Sequence, residues 1–290
     1  MDITKDQAAQ TLLNERRKTG SALKAQLLGQ STSADQMDLC KAGESEFCWG
    51  SIWQRSGLSQ RTRSALALAM TAAKGSSASV KDYVRISLNL GWSPAEIEEI
   101  LFHTQCYAGL PASLDAMEVA KAVFALECPT YNSGSALSNT TTQTDNSVNP
   151  NTLREVGLQI RRNVLGTEMV NRTEEKTKND RFIRMFFDVT HEYCFAQIWG
   201  RPQLGQQLRS ILSLGIASVL SQSGAISRHV RSAVEVGLTK RQIGEVFLQA
   251  YVYGGVYSAL NGFGVAQETF DTMTAEGIKI PEGFDSDESV

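Results

Sequence analysis

Histidine is scarce in this chain, with three in 290 residues, and the five cysteines include no close pair. Neither a zinc site nor a dithiol redox centre can therefore be built from sequence neighbours. An odd, widely spaced set of cysteines fits reduced thiols in the cytoplasm better than a disulfide framework. No apolar run approaches the ~18 residues of a membrane span, which argues against a membrane partner. The net charge of −3 and pI near 5.7 leave no basic stripe for nucleic acid. There is no P-loop, no dinucleotide-binding fingerprint and no HExxH motif. The opening MDITKDQAAQ carries neither a signal nor a transit pattern. Alternating strand patterns of useful length are also missing.

What the chain does contain is itself, twice. Adding 146 to the numbers of Phe47–Phe124 lands on similar residues without a gap: Cys48 on Cys194, Trp53 on Trp199, Arg55 on Arg201 and Arg63 on Arg209. Glu99 then falls on Glu245, Tyr107 on Tyr253, Gly109 on Gly255 and Phe124 on Phe270. Upstream, Arg17, Gly20, Leu28 and Gly29 meet Arg154, Gly157, Leu165 and Gly166 at an offset of 137. The difference of nine is read as a loop insertion in the second copy. Two copies of one module make every difference between them an internal comparison.

The expected organisation is a first repeat over 1–126, a linker over 127–150 rich in Ser, Thr and Asn, a second repeat over 151–275 and an acidic tail over 276–290. The linker and the stretch from Pro281 read as flexible, and the formal glycosylation sequon at Asn139 as chance. Each repeat is long enough to bury a core of its own. The spacing of apolar residues is helical nearly throughout. Ser93-Pro94-Ala95-Glu96 and Thr239-Lys240-Arg241-Gln242 are helix starts with capping boxes, and Gly91 and Gly237 stop the helices before them. The fold class is all-α: two tandem helical-bundle repeats.

Three loci could carry chemistry. His229 lies on an apolar stripe with Ile226, Val230 and Ala233, where the first copy has Tyr83. Glu99, His103 and Tyr107 recur at helical spacing as Glu245, Gln249 and Tyr253, forming either a polar wall of a pocket or an inter-repeat contact. Trp49-Gly50-Ser51-Ile52-Trp53 is matched by Phe195-Ala196-Gln197-Ile198-Trp199, with polar Ser51 and Gln197 beside buried-looking isoleucines. Cys48 and Cys194 share a repeat position and read as buried structural thiols.

These residues resemble a family. Gly157 to Phe270 is similar to gamma-carboxymuconolactone decarboxylase, through Ile198-Trp199-Gly200-Arg201-Pro202, Leu208-Arg209-Ser210, His229-Val230-Arg231, Ile243-Gly244-Glu245-Val246 and Tyr253-Gly254-Gly255. The first copy resembles it from Trp49 onward, and His103-Thr104-Gln105-Cys106-Tyr107-Ala108-Gly109-Leu110-Pro111 follows the family's H-T-x-x-Y-x-G-x-P wording. The resemblance implies an all-α fold that assembles into rings, here a homo-oligomer of three or two chains, and chemistry without a cofactor on a small cyclic carboxylate. The sister AhpD-like peroxidases use a CxxC pair that this chain lacks, so thiol peroxidase activity is not expected. The Glu of the family's W-G-E is replaced by Ser51 and Gln197, the family's histidine is kept only as His229, and its Pro is Pro111 in one copy but Tyr257 in the other.

The expectation is therefore an acid/base enzyme, a lyase or isomerase acting through an enolate in secondary metabolism. His229, Gln197 and Tyr253 are its catalytic groups; Glu245, Gln249, Trp199, Arg209, Tyr257, His103 and Tyr107 hold the substrate. A Gln can donate to an oxyanion but cannot shuttle a proton. True 4-carboxymuconolactone decarboxylase activity and a non-catalytic ligand-binding scaffold are the alternatives.

Overall fold

A computed structural model describes residues 3–30, 38–132 and 150–284; most of the expected linker, including Asn139, and the last six residues lie outside them. The described residues are helical, with no strand among them. The first repeat runs α1 (Ile3–Leu28), the short α2 (Leu39–Gly43), a wide π-helical segment (Glu44–Trp49), a 3₁₀ turn (Ile52–Gln54), α3 (Gln60–Ala73), α4 (Ser77–Asn89), α5 (Pro94–Ala108) and α6 (Leu110–Glu127). The second runs α7 (Pro150–Leu165), α8 (Thr167–Thr177), α9 (Arg181–Val189), a longer π-helical segment (Thr190–Trp199), α10 (Gln206–Val219), α11 (Ser223–Glu235), α12 (Lys240–Gly254) and α13 (Val256–Ala275).

The starts of α5 and α12 form as their sequences require. Ser93 and Glu96, and likewise Thr239 and Gln242, exchange side-chain and backbone hydrogen bonds in complete capping boxes. Gly91 and Gly237 adopt φ of 84° and 87°, a left-handed conformation that a side chain would strain. Each repeat opens with a long helix laid against its π-helical segment, and glycine makes the crossing possible. A methyl at Gly20 would run into the carbonyl of Ser45, and one at Gly157 into that of His191.

Three sequence expectations change. The repeats do not bury separate cores: α3 packs on α10, and one continuous apolar cluster takes in Leu66 and Met70 together with Leu212, Ile216 and Phe247. Both helices are buried nearly all round from Arg63 and Arg209 onward, which is why small and aliphatic residues dominate those stretches. The insertion in the second repeat is not a loop but α8, held by Val170 packed fully into a satellite cluster with Phe195 and Trp199. The tail is docked as far as it is described: Pro281 and Glu282 accept backbone hydrogen bonds from Lys240 and Arg241, satisfying free N–H groups at the start of α12.

Candidate active site

Cross-repeat exchange organises the site. Arg209 on α10 donates from its Nη2 to Glu99 on α5 at 2.8 Å, and Arg63 on α3 donates to Glu245 on α12 at 2.7 Å. Arg201 and Arg55 bind the second oxygen of Glu99 and the first of Glu245 at 2.6 and 2.7 Å. The Trp199 indole N–H donates to the Tyr107 hydroxyl at 2.9 Å, and that of Trp53 to Tyr253 at 3.4 Å. Each half-site thus takes its tryptophan and arginine from one repeat and its Glu–(His/Gln)–Tyr row from the other.

The two half-sites differ in what fills them. Around Tyr253 the space is occupied: Trp53 stacks on Tyr83 at 10° with centroids 6.0 Å apart, and Trp49 lies 4.6 Å from Trp53. Tyr253 donates to Tyr83 at 2.7 Å, and Trp49 donates to Glu44 at 3.0 Å. In the other half-site Phe195 stands for Trp49 and His229 for Tyr83. A cavity of about 700 Å³ opens there, lined by Trp199, Phe195, Tyr107, His229 and the helices of the insertion.

His229 is buried, and its Nδ1 has no hydrogen-bond partner among the described residues. Its ring meets that of Tyr107 edge to face, with centroids 5.0 Å apart. Burial, then the nearby Arg228 guanidinium, lowers its pKa from 6.5 to about 4, so the resting imidazole is neutral. Tyr107 is pushed well above the usual phenol value, first by burial, and stays a hydrogen-bond donor at neutral pH. Arg161 and Arg228 line the cavity, and no Asp or Glu does. Arg161 is fixed from behind by Glu174 of α8 at 2.8 Å and by His191 at 3.0 Å. Arg228 is exposed and has no ion-pair partner among the described residues. Among these residues no group of three His, Cys, Asp or Glu is placed to hold a metal.

Of the expected site residues, the structure brings His229, Trp199 and Tyr107 together at the cavity. Tyr253 belongs to the filled half-site with Tyr83. Glu245 and Gln249 are there too, bound by Arg63: Gln249 accepts at 3.3 Å and donates to the Arg63 carbonyl at 2.7 Å. Gln197 is exposed on the outer side of its π-helical segment, outside the cavity lining, because the wide helical turn points it away. Tyr257 is 79% exposed at the start of α13. Arg209 is fully buried and spends its donors on Glu99, His103 and the carbonyls of Leu204 and Arg201. His103 accepts from Arg209 at Nδ1 (3.2 Å), which leaves Nε2 to donate to Ser213 at 2.9 Å. Both its nitrogens are committed, and its ring packs against those of Tyr107 and Trp199, outside the cavity lining. Two cavity-lining residues, Arg228 and Arg161, are not among the expected site residues; Arg228 is legible as the cation next to His229, whereas Arg161 lies far from it in the chain. Cys194, expected to be a buried structural thiol, is partly exposed and lines the cavity with Cys106.

Comparison with known proteins agrees with the duplication. The carboxymuconolactone decarboxylase family model matches residues 44–122 and again 185–268. The chain is 40% identical over 80 residues to 4-carboxymuconolactone decarboxylase of Acinetobacter baylyi, covering 28% of this chain and 60% of that protein. It is 33% identical over 134 residues to nitrosuccinic acid decarboxylase of Metarhizium robertsii, covering 45% of this chain and 90% of that one. An uncharacterised 15.0 kDa protein of Paracoccus denitrificans matches at 33% over 84 residues, 28% of this chain and 63% of its own length. With both repeats matched and the helical fold duplicated, the chain belongs to the carboxymuconolactone decarboxylase family.

Proposed function

We propose that the chain is a decarboxylase of small carboxylate anions with one working site, at His229. The observation that carries this reading is an apolar cavity containing an unpartnered, buried imidazole, two guanidinium groups and no carboxylate. The names of the two decarboxylase relatives support the reaction class. Arg228 at the rim receives the substrate's charge. The apolar walls disfavour a localised carboxylate relative to a transition state whose charge is spread, which promotes loss of CO₂. The C–C bond electrons stay on carbon and delocalise into an adjacent carbonyl or nitro group, whose developing oxyanion faces the Tyr107 hydroxyl. A docked anion offsets the burial that keeps His229 neutral, so the imidazole takes up a proton with the substrate. It returns that proton to carbon once CO₂ has left.

The Tyr253 half-site is closed by its own aromatic rings and acts as a structural partner. Turnover of nitrosuccinate and of 4-carboxymuconolactone by wild type and His229→Ala tests the reading. Loss of about 10²–10⁴-fold with unchanged folding supports it; equal turnover by both proteins removes His229 from the chemistry. Self-association is part of the same proposal. The exposed Leu110 and Leu114 of α6 recur as Val256 and Leu260 of α13, giving each chain two equivalent apolar faces for another copy, and light scattering at the monomer mass would dismiss it.

A further inference from the structure

We infer that Cys106 and Cys194 are a cross-repeat dithiol, a modification site at which a peroxide closes a disulfide in the cavity wall. The two sulfurs lie 3.6 Å apart, with the Cys106 thiol directed at the Cys194 sulfur, although one is on α5 of the first repeat and the other on the π-helical segment of the second. Both are partly exposed, and both line the 700 Å³ cavity. An oxidant small enough to enter therefore reaches the pair without unfolding.

The internal comparison isolates this feature. At the equivalent positions of the filled half-site stand Val252 and Cys48. Cys48 has no thiol opposite it, and burial, then the Glu44 carboxylate, pushes its pKa up to about 12. A second sulfur is present only where the cavity is open.

The hydrogen bond sets the order of events. Cys106 is held protonated, first by its bond to Cys194 and then by burial, and its S–H points at the Cys194 sulfur, which is the acceptor of that bond and the sulfur without a proton committed to the pair. Cys194 is thus the attacking group. Its thiolate takes one oxygen of hydrogen peroxide, breaking the O–O bond and releasing hydroxide, and becomes a sulfenic acid. The Cys106 sulfur then attacks that sulfur and displaces the hydroxyl. The Cys106 proton and one from solvent turn the two hydroxides into water. Two thiols lose two electrons in all, and the peroxide gains them. The bond must draw the sulfurs from 3.6 Å to about 2.0 Å, pulling the π-helical segment onto α5 beside Tyr107 and His229.

The full-length protein is treated with hydrogen peroxide, its remaining thiols are alkylated, and it is digested without reductant. A peptide joining Cys106 to Cys194 is expected, returned to two free thiols by dithiothreitol, together with a higher thermal midpoint in the oxidised form. Cys106→Ser should leave Cys194 trapped as a sulfenic acid that dimedone labels, and Cys194→Ser should leave Cys106 unmodified. These two arms read the pair even if one variant is less stable. Separate over-oxidation of Cys194 in the wild type, links confined to Cys40, or two thiols that stay free would each overturn the inference. None of these outcomes depends on the reaction catalysed at His229.

Discussion

The imidazole of His229, from the second repeat, meets the phenol of Tyr107, from the first, edge to face at 5.0 Å between centroids. Its repeat-equivalent pair, Tyr83 and Tyr253, lies at a similar 5.6 Å but is joined hydroxyl to hydroxyl. The same exchange geometry thus yields one half-site with an unpartnered imidazole and one whose polar atoms satisfy each other.

Tyr107→Phe and Tyr253→Phe should separate those roles. Removing the Tyr107 hydroxyl takes away the proposed donor to the developing oxyanion and should lower kcat about 10²–10³-fold, the range of other oxyanion donors. Removing the Tyr253 hydroxyl should cost about 1 kcal/mol of stability from the lost hydrogen bond and leave kcat per folded molecule unchanged. Steady-state kinetics beside urea denaturation measures both, and equal kinetic losses would mean that both half-sites work.

Arg228→Gln should raise KM more than it lowers kcat, because the side chain sits at the rim and acts through charge. Wild-type affinity for an unreactive dicarboxylate such as succinate should fall with added salt, as exposed charges are screened beyond about 8–10 Å at physiological ionic strength; the variant should lose most of that dependence. Calorimetry in buffers of different ionisation enthalpy should also show proton uptake on binding, lost in His229→Gln. Binding that is independent of both salt and buffer would refute the docking scheme.

Stability should fall as the solution is acidified through the histidine range. The unfolded His229 takes a proton near pH 6.5, whereas the native imidazole, held down by burial, does so only near pH 4. Between those values the unfolded chain binds more protons, so stability rises with pH across the window and this contribution is flat above it. For His229 the effect is about 3 kcal/mol. Buried His103 and His191 are lowered as well and act in the same sense. Urea denaturation of wild type and His229→Gln between about pH 4.5 and 7.5, spanning that window, should show a shallower slope in the variant.

Glu99→Gln and Glu245→Gln should each cost about 3–5 kcal/mol, since either leaves a buried arginine without its counter-charge. The carboxylates are 2% exposed, and Arg209 and Arg63 wholly buried. Because these pairs and the core join the repeats, unfolding should be a single transition seen alike by tryptophan fluorescence and circular dichroism. Two resolved transitions would mean that the repeats are independent after all.

These ion pairs also explain what the sequence could and could not disclose. Capping boxes, helix stops and the repeat itself are local or periodic, so Ser93, Thr239, Gly91 and Gly237 announce themselves. Partner choice is not local. Because Glu99 and Glu245 are separated by the same offset as Arg209 and Arg63, pairing within a repeat and pairing between repeats satisfy the sequence equally well. Placing His229 beside Tyr253 instead of Tyr107 follows from the wrong choice between the two. The Cys106–Cys194 proximity depends on the same exchange, and the exposed position of Gln197 is not legible from α-helical spacing because it sits on a wide π-helical turn.

Phe195→Trp tests whether the difference between the half-sites is a matter of filling. Phe195 packs against Trp199 with centroids 6.4 Å apart and borders the cavity, and its counterpart Trp49 occupies the closed half-site. The larger indole has the cavity itself to enter, so overpacking should cost less than the ~1–3 kcal/mol of a filled core. Its N–H lacks the Glu44 acceptor that Trp49 enjoys, because Thr190 stands at that position. Folding should persist while succinate binding and turnover both drop sharply. A variant that folds, keeps wild-type KM and kcat and shows the indole buried would place the working site somewhere other than this cavity.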